Sequence, residues 1–179
     1  FNYPYELFGA NDKKVIYEQN KKYLYFGSLT ETRSLSLIID VFNKRSESLT
    51  LIGTINNTYL EDKIRASNSN ISYKSYISLS DAPDALADFD VGLCVPKLSK
   101  IAHDALPVKI LEYYNLNKII ISSKFDAALK LDIDNIYFTE LNEADFISNI
   151  DKVNKISAAT FLASNKLRYT FRGQFLCAD

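Results

Sequence analysis

Residues 22–42, KYLYFGSLTETRSLSLIIDVF, decide the fold. KYLYFG is an apolar run closed by a glycine, the pattern of a strand buried on both faces. After a polar loop, Leu35, Leu37, Ile38, Val41 and Phe42 recur at helical spacing, so a helix can pack back onto that strand. The alternation then repeats. Residues 49–53 (LTLIG), 71–73, 90–95 (DVGLCV), 118–122 (KIIIS) and 135–138 (NIYF) are further strand candidates. Residues 59–67 predict a polar, exposed helix, and Ser80 with Asp81 supplies N-cap chemistry for a helix carrying Leu86 and Phe89. Pro107 is placed to open a helix running to about Tyr114, and residues 143–154 and 157–174 predict two C-terminal helices. Continuous apolar strands alternating with helices predict an α/β domain built on a Rossmann-like, doubly wound parallel sheet. With strand order 3-2-1-4-5-6, the crevice outside the carboxyl ends falls between the loop after Gly27 and the loop after Pro96.

Composition narrows the chemistry. A chain of 179 residues, 47% hydrophobic and 24% charged, fits one globular domain rather than a fibre, a coiled coil or a disordered tail. The net charge of −1 provides no sequence-wide basic field for nucleic acid or an anionic membrane, so an anionic ligand must be held locally. Cys94 and Cys177 are too few and too far apart for a disulfide framework, and Cys94 reads as a buried thiol in a cytoplasmic protein. With one histidine, a His-rich metal site is ruled out, and the five glycines form neither GxGxxG nor GxxxxGK[ST]. Nicotinamide dehydrogenases and P-loop NTPases are thereby excluded. No apolar stretch approaches the ~20 residues of a spanning helix, and no signal peptide pattern is present. The sequence begins at Phe1 and contains 0 methionines, which suggests an excised or processed piece of a longer protein.

Two loops carry the candidate residues. In the first, Gly27 allows close backbone approach, Ser28 and Thr30 offer hydroxyls, and Arg33 brings a fixed cationic fork to a helix start, together a phosphate cradle. The competing interpretation is a tight turn with Arg33 in solvent. In the second, Pro107 leaves the N–H groups of Val108 and Lys109 free to face an anion, and the Lys109 ammonium adds a point charge. Glu112 is either a solvated helix carboxylate or an acceptor for paired ribose hydroxyls. Asp104 and Glu112 bracket the helix start and can face opposite ends of an elongated ligand. His103 is a loop-packing histidine or a general acid–base. Tyr3, Tyr5, Tyr23, Tyr25 and Phe26 are accounted for by packing, without a ligand.

With these residues in view, the sequence resembles the C-terminal, nucleotide-sugar-binding half of a GT-B glycosyltransferase of the group 1 (family 4-like) kind. YLYFGSLTETRSLSLIIDVF is similar to that family's strand, loop and helix, LTLIG to its next strand, and residues 71–96 to the stretch before its donor loop. The span from Asp104 to Glu112 is similar to its E-x7-E, in the P-x-K-x-x-E-Y form within LPVKILEYYNLNKIII, and FLASNKLRYTFR to its terminal helix. The likeness covers residues 23–175. It implies an entry segment at 1–21, a nucleotide-sugar-binding domain at 22–156, and a C-terminal helix at 157–179 that packs toward an N-terminal acceptor domain. It further implies a donor nucleotide diphosphate sugar, a saccharide or lipid-linked saccharide acceptor, no cofactor, no metal and no nucleic acid. The implied setting is bacterial surface polysaccharide assembly, with the full-length protein cytoplasmic or at the inner membrane face and this piece inactive alone.

By that likeness Gly27 is the loop glycine, Arg33 takes the place of the family's lysine that contacts the donor pyrophosphate, Asp104 contacts the donor sugar and Glu112 the ribose. Leu106, Pro107 and Val108 line pyrophosphate and sugar. Arg33, Lys109 and Asp104 are thus the catalytic candidates, and Gly27, Ser28, Arg33, Leu106, Pro107, Val108 and Glu112 the donor-binding ones. Ser28 stands where the family commonly has a phosphate-binding arginine, and Ser34 where it has glycine after the lysine. These departures leave open a non-catalytic α/β binding module with a degraded site, and a sugar-nucleotide epimerase is a third candidate.

Overall fold

The computed structural model describes residues 20–78, 80–97, 108–130 and 135–156. Six strands, β1 (Lys22–Phe26), β2 (Ser48–Ile52), β3 (Ile71–Lys74), β4 (Val91–Cys94), β5 (Ile119–Ser123) and β6 (Ile136–Thr139), form one sheet in the order β3-β2-β1-β4-β5-β6. Every pairing is parallel. The expected Rossmann-like α/β topology is therefore present.

Among the described residues six helices cover the faces: α1 (Leu35–Asn43), α2 (Thr58–Arg65), α3 (Ala82–Ala87), α4 (Val108–Asn115), α5 (Asp126–Leu129) and α6 (Glu143–Asn154). Strand side chains alternate between two cores. Tyr23 and Tyr25 of β1 join Ile38, Phe42, Leu60, Phe146 and Ile150 on the face covered by α1, α2 and α6. Leu24 and Phe26 join Leu86, Ile110, Tyr113 and Ala128 on the face covered by α3, α4 and α5. Phe42 meets the rings of Tyr23 at 5.1 Å and Phe146 at 6.5 Å, both edge-on. Each such buried aromatic is worth about 1.5–3 kcal/mol, so this trio anchors α1 and α6 to the sheet.

The helix starts follow side-chain chemistry. Asn57 accepts the Leu60 N–H for α2, and Asn142 accepts the Asp145 N–H for α6. At α3 the expected cap needs correction: Asp81 makes no capping hydrogen bond, and Ser78 is the residue whose hydroxyl accepts the Asp81 N–H and donates to its carboxylate. Phe89 lies just past that helix, which ends at Ala87. The four-residue α5 was not foreseen, because its buried Phe125 and Ala128 are too few to show helical periodicity.

The amino edge of the sheet is sealed by buried ammonium groups. Lys118 donates to the carbonyls of Ala87 and Phe89, and Lys21 to that of Ile156, at the ends of α3 and α6. Burial pushes Lys118 down to about 8.

At the opposite edge the loops after β1 and β2 touch backbone to backbone. Gly53 has φ +149, and a Cβ there would lie 1.8 Å from the Gly27 carbonyl oxygen. Ser34, between a short 3-10 turn (Glu31–Arg33) and α1, has φ 56, is 3% exposed, and its hydroxyl has no partner among the described residues. Ser34→Gly is accordingly expected to stabilise the fold by about 1 kcal/mol. The left-handed penalty of ~1–2 kcal/mol and an unsatisfied hydroxyl outweigh the ~0.5–1 kcal/mol entropy cost of glycine. Urea unfolding midpoints check this, and a lower midpoint for the variant would contradict it.

Candidate functional site

The carboxyl ends of β1 and β4 diverge, as expected where strand order reverses. Their register runs only through Tyr23–Val91 and Leu24–Gly92. Beyond it opens a cleft of about 360 Å³, lined by Tyr25, Phe26, Gly27, Ser28 and Arg33 on one side and by Leu93, Cys94, Val95 and Pro96 on the other, with Val108 and Lys109 of α4.

Local bonds hold the walls. Gly27, at φ 136, donates its N–H to Ile52, and the Tyr25 hydroxyl donates to the Ser28 carbonyl at 2.8 Å. The two loops are tied where the Lys97 N–H donates to the Thr32 carbonyl at 2.8 Å, and Ser123 steadies Pro96 by donating to its carbonyl.

Lys109 is the central charge. Its Nζ lies 3.9 Å from the centre of the Phe26 ring and 2.7 Å from Glu112 Oε2, one helical turn on. A Cβ on Gly27 would approach Lys109 Cε to 3.1 Å, so the glycine makes room for this side chain. Glu112 is 3% exposed. Burial pushes Lys109 down to about 8, with the nearby Arg33 guanidinium adding to the effect, and pushes Glu112 up to about 7. Their contact pulls both the other way, so each supports the charge of its partner in a poorly solvated setting. Arg33 reaches the same cleft from the exposed 3-10 turn. Cys94 is free and buried, its thiol pushed up to about 12 by that burial, as expected of a packing residue.

Of the residues singled out from sequence, Gly27, Ser28, Arg33, Val108 and Lys109 line one cleft. Glu112 stands behind Lys109 and is not a solvated carboxylate, because α4 turns its Ile110 and Tyr113 face onto the sheet and carries Glu112 inward with them. Asp104, Leu106, Pro107 and His103 lie outside the described residues, as do Tyr3, Tyr5, Cys177 and the helix expected at 157–174. Packing alone does not account for Phe26, whose ring forms part of the cleft and carries the Lys109 ammonium. Its position as the last strand residue before the loop glycine was the available signal. Among the described residues no group of three or more His, Cys, Asp or Glu side chains gathers in a way that could hold a metal ion.

No family model matches the sequence, and no curated protein matches it either. Solved structures do. A glycosyltransferase involved in lipopolysaccharide biosynthesis, WaaG, superposes with TM-score 0.68 at 14% identity over 88% of this chain and 44% of its own. The fold is that of one half of a GT-B glycosyltransferase. A second GT-B match is AviGT4, a glycosyltransferase involved in avilamycin A biosynthesis, with TM-score 0.64 at 11% identity over 92% of this chain and 50% of its own. A third is an α-glucosyltransferase in complex with UDP-glucose and DNA containing an abasic site, with TM-score 0.62 at 17% identity over 88% and 51%. The chain thus spans about half the length of the GT-B structures it matches. Among the described residues no helix is long and apolar enough to cross a membrane.

Proposed function

We propose that this chain is the C-terminal, donor-binding domain of a glycosyltransferase and holds a nucleotide diphosphate sugar in the cleft between β1 and β4. The observation that carries this is the convergence of Lys109 and Arg33 on one cleft at the strand-order reversal of a GT-B half. Two cations facing a glycine-turned backbone suit a diphosphate. Val108 and Lys109 begin α4, whose N-terminal N–H groups favour the same anion.

The chemistry asked of this half is to stabilise charge developing on the leaving diphosphate as the bond to the sugar breaks. Lys109 does this from a site shielded by the Phe26 ring, where a fixed charge acts more strongly than in water. Arg33, at the mouth, supplies a planar fork for phosphate oxygens. Arrival of the diphosphate gives Lys109 a second anionic partner and frees Glu112 to accept ribose hydroxyls, the role its place in P-x-K-x-x-E-Y implies. Asp104, with Leu106 and Pro107, would face the donor sugar. The acceptor, a saccharide or lipid-linked saccharide of surface polysaccharide assembly, would be held by a partner domain, with no metal or other cofactor taking part. UDP is the first donor nucleotide to test, since one similar structure is a complex with UDP-glucose.

Arg33→Ala is expected to weaken nucleoside diphosphate binding about tenfold, as befits an exposed charge-assisted contact, while leaving nucleoside binding unchanged. Calorimetric titration of both ligands checks this, and equal losses for both would remove Arg33 from the phosphate site. A panel of UDP, GDP, dTDP and ADP in thermal shift addresses the competing binding-module interpretation, which stabilisation by none of them would favour.

A further inference from the structure

The parallel ladder between β1 and β4 stops short for a specific reason. Pairing of Leu24 with Gly92 sets an alternation in which the Phe26 N–H, two residues on, would meet the Leu93 carbonyl. The Tyr113 hydroxyl occupies that position. It accepts the Phe26 N–H at 3.0 Å and lies 3.5 Å from the Leu93 carbonyl oxygen, toward which it donates. The side chain is fully buried, and its ring lies flush on Gly92, where a Cβ would stand 2.4 Å from the ring. Glycine at 92 and tyrosine at 113 are therefore one device: the first admits the ring, the second puts an oxygen between the strands.

We propose that Tyr113 is the spacer that holds β1 and β4 apart and thereby sets the width of the cleft and the seat of Lys109. Lys109 is one turn before Tyr113 on α4, and its ammonium rests on the ring of the residue whose N–H Tyr113 receives. One hydroxyl thus couples α4, β1 and β4 at the cleft floor. It touches no ligand position itself and acts as a positioning residue. The effect on ligand rests on the donor-site proposal above, whereas the strand spacing does not.

Tyr113→Phe separates these two. Without the oxygen, the Phe26 N–H is expected to bond the Leu93 carbonyl directly, at about 2.9 Å, and the cleft to narrow, as read in a crystal structure of the variant. Strands that keep their present separation in the variant would overturn the proposal, whatever the ligand does. In titration, nucleoside diphosphate affinity is expected to fall about tenfold while nucleoside affinity changes less than twofold, a split that general loosening of the fold does not produce. Equal losses for the two ligands would also overturn it. Failure of the unaltered protein to bind any nucleoside diphosphate would overturn the donor-site proposal instead and leave the structural arm standing. If Tyr113→Phe does not fold, proton NMR of the unaltered protein decides: the Tyr113 hydroxyl proton is expected to show a through-space contact with the Phe26 amide, and its absence overturns the spacer role.

Discussion

Lys109→Met is expected to lower nucleoside diphosphate affinity about 100-fold at pH 7, with a much smaller loss for the nucleoside, which feels the change only through Glu112. The substitution keeps an unbranched apolar stem over Phe26 and removes only the ammonium, so the loss reports the charge. A charge-assisted contact to phosphate is worth about 1.5–3 kcal/mol, and the shielded position of Lys109 puts it at the upper end, which corresponds to about two decades. The same change affects stability in a pH-dependent way. Burial already pushes Glu112 up to about 7, and removing the ammonium at 2.7 Å raises it further. A carboxyl whose folded value lies above its unfolded one holds more protons when folded. The variant is thus expected to be near normal in stability at pH 5 and less stable than the unaltered protein at about pH 8.5: the Glu112-linked loss of the unaltered protein runs from about 4.5 and levels off near 7, whereas that of the variant continues above 7. Chemical unfolding at the two pH values checks this. An equal loss between the two pH values in the variant and the unaltered protein would mean that Glu112 is not held by Lys109.

Gly53→Ala is expected to cost at least about 4 kcal/mol. The added carbon would sit 1.8 Å from the Gly27 carbonyl oxygen and 2.7 Å from its carbon, both backbone atoms with no rotamer by which to move away. The φ of +149 adds strain of about 1–3 kcal/mol for any residue with a side chain. Relief requires parting the loops after β1 and β2, and with them the bonds from Gly27 to Ile52 and from Gly53 to Lys74. At ~2–4 °C per kcal/mol for a chain of this size, the melting temperature should fall by roughly 8–16 °C. Calorimetry measures it, and a drop of only a few degrees would show that the two glycine loops are not in contact in solution.

The sheet was legible because its central strands β1, β4 and β5 are buried on both faces and therefore appear as unbroken apolar runs, from YLYF at 23–26 to III at 119–121. Strand order, and hence the crevice, followed from topology rules rather than from any single residue. The cleft residues that follow β1 and β4 in the chain, Gly27, Ser28, Arg33 and Lys109, were legible for the same reason. The double role of Phe26 was not, because an aromatic at a strand end looks alike whether it packs only on core or also carries an ammonium. Nor was the burial of Glu112, which depends on how α4 is rotated against β4 and on a lysine three residues earlier turning back to meet it. Ser34 occupies a left-handed position, which gives a physical reason for the glycine that the resembling family carries there. The role of Tyr113 lies in a contact across 87 residues of chain, which no local pattern encodes.

The central claim, that Lys109 and Arg33 form a diphosphate seat between β1 and β4, is tested most directly by titrating the unaltered protein with UDP and with uridine across pH 6.5 to 9.5. Since burial holds Lys109 down to about 8, the ratio of UDP to uridine affinity should fall by up to tenfold per unit above about that pH, the ratio cancelling the ionisations both ligands share, those of the uracil ring and of Glu112 at the ribose. UDP binding no tighter than uridine, or a ratio of the two affinities unchanged from pH 7 to 9.5, would contradict the claim.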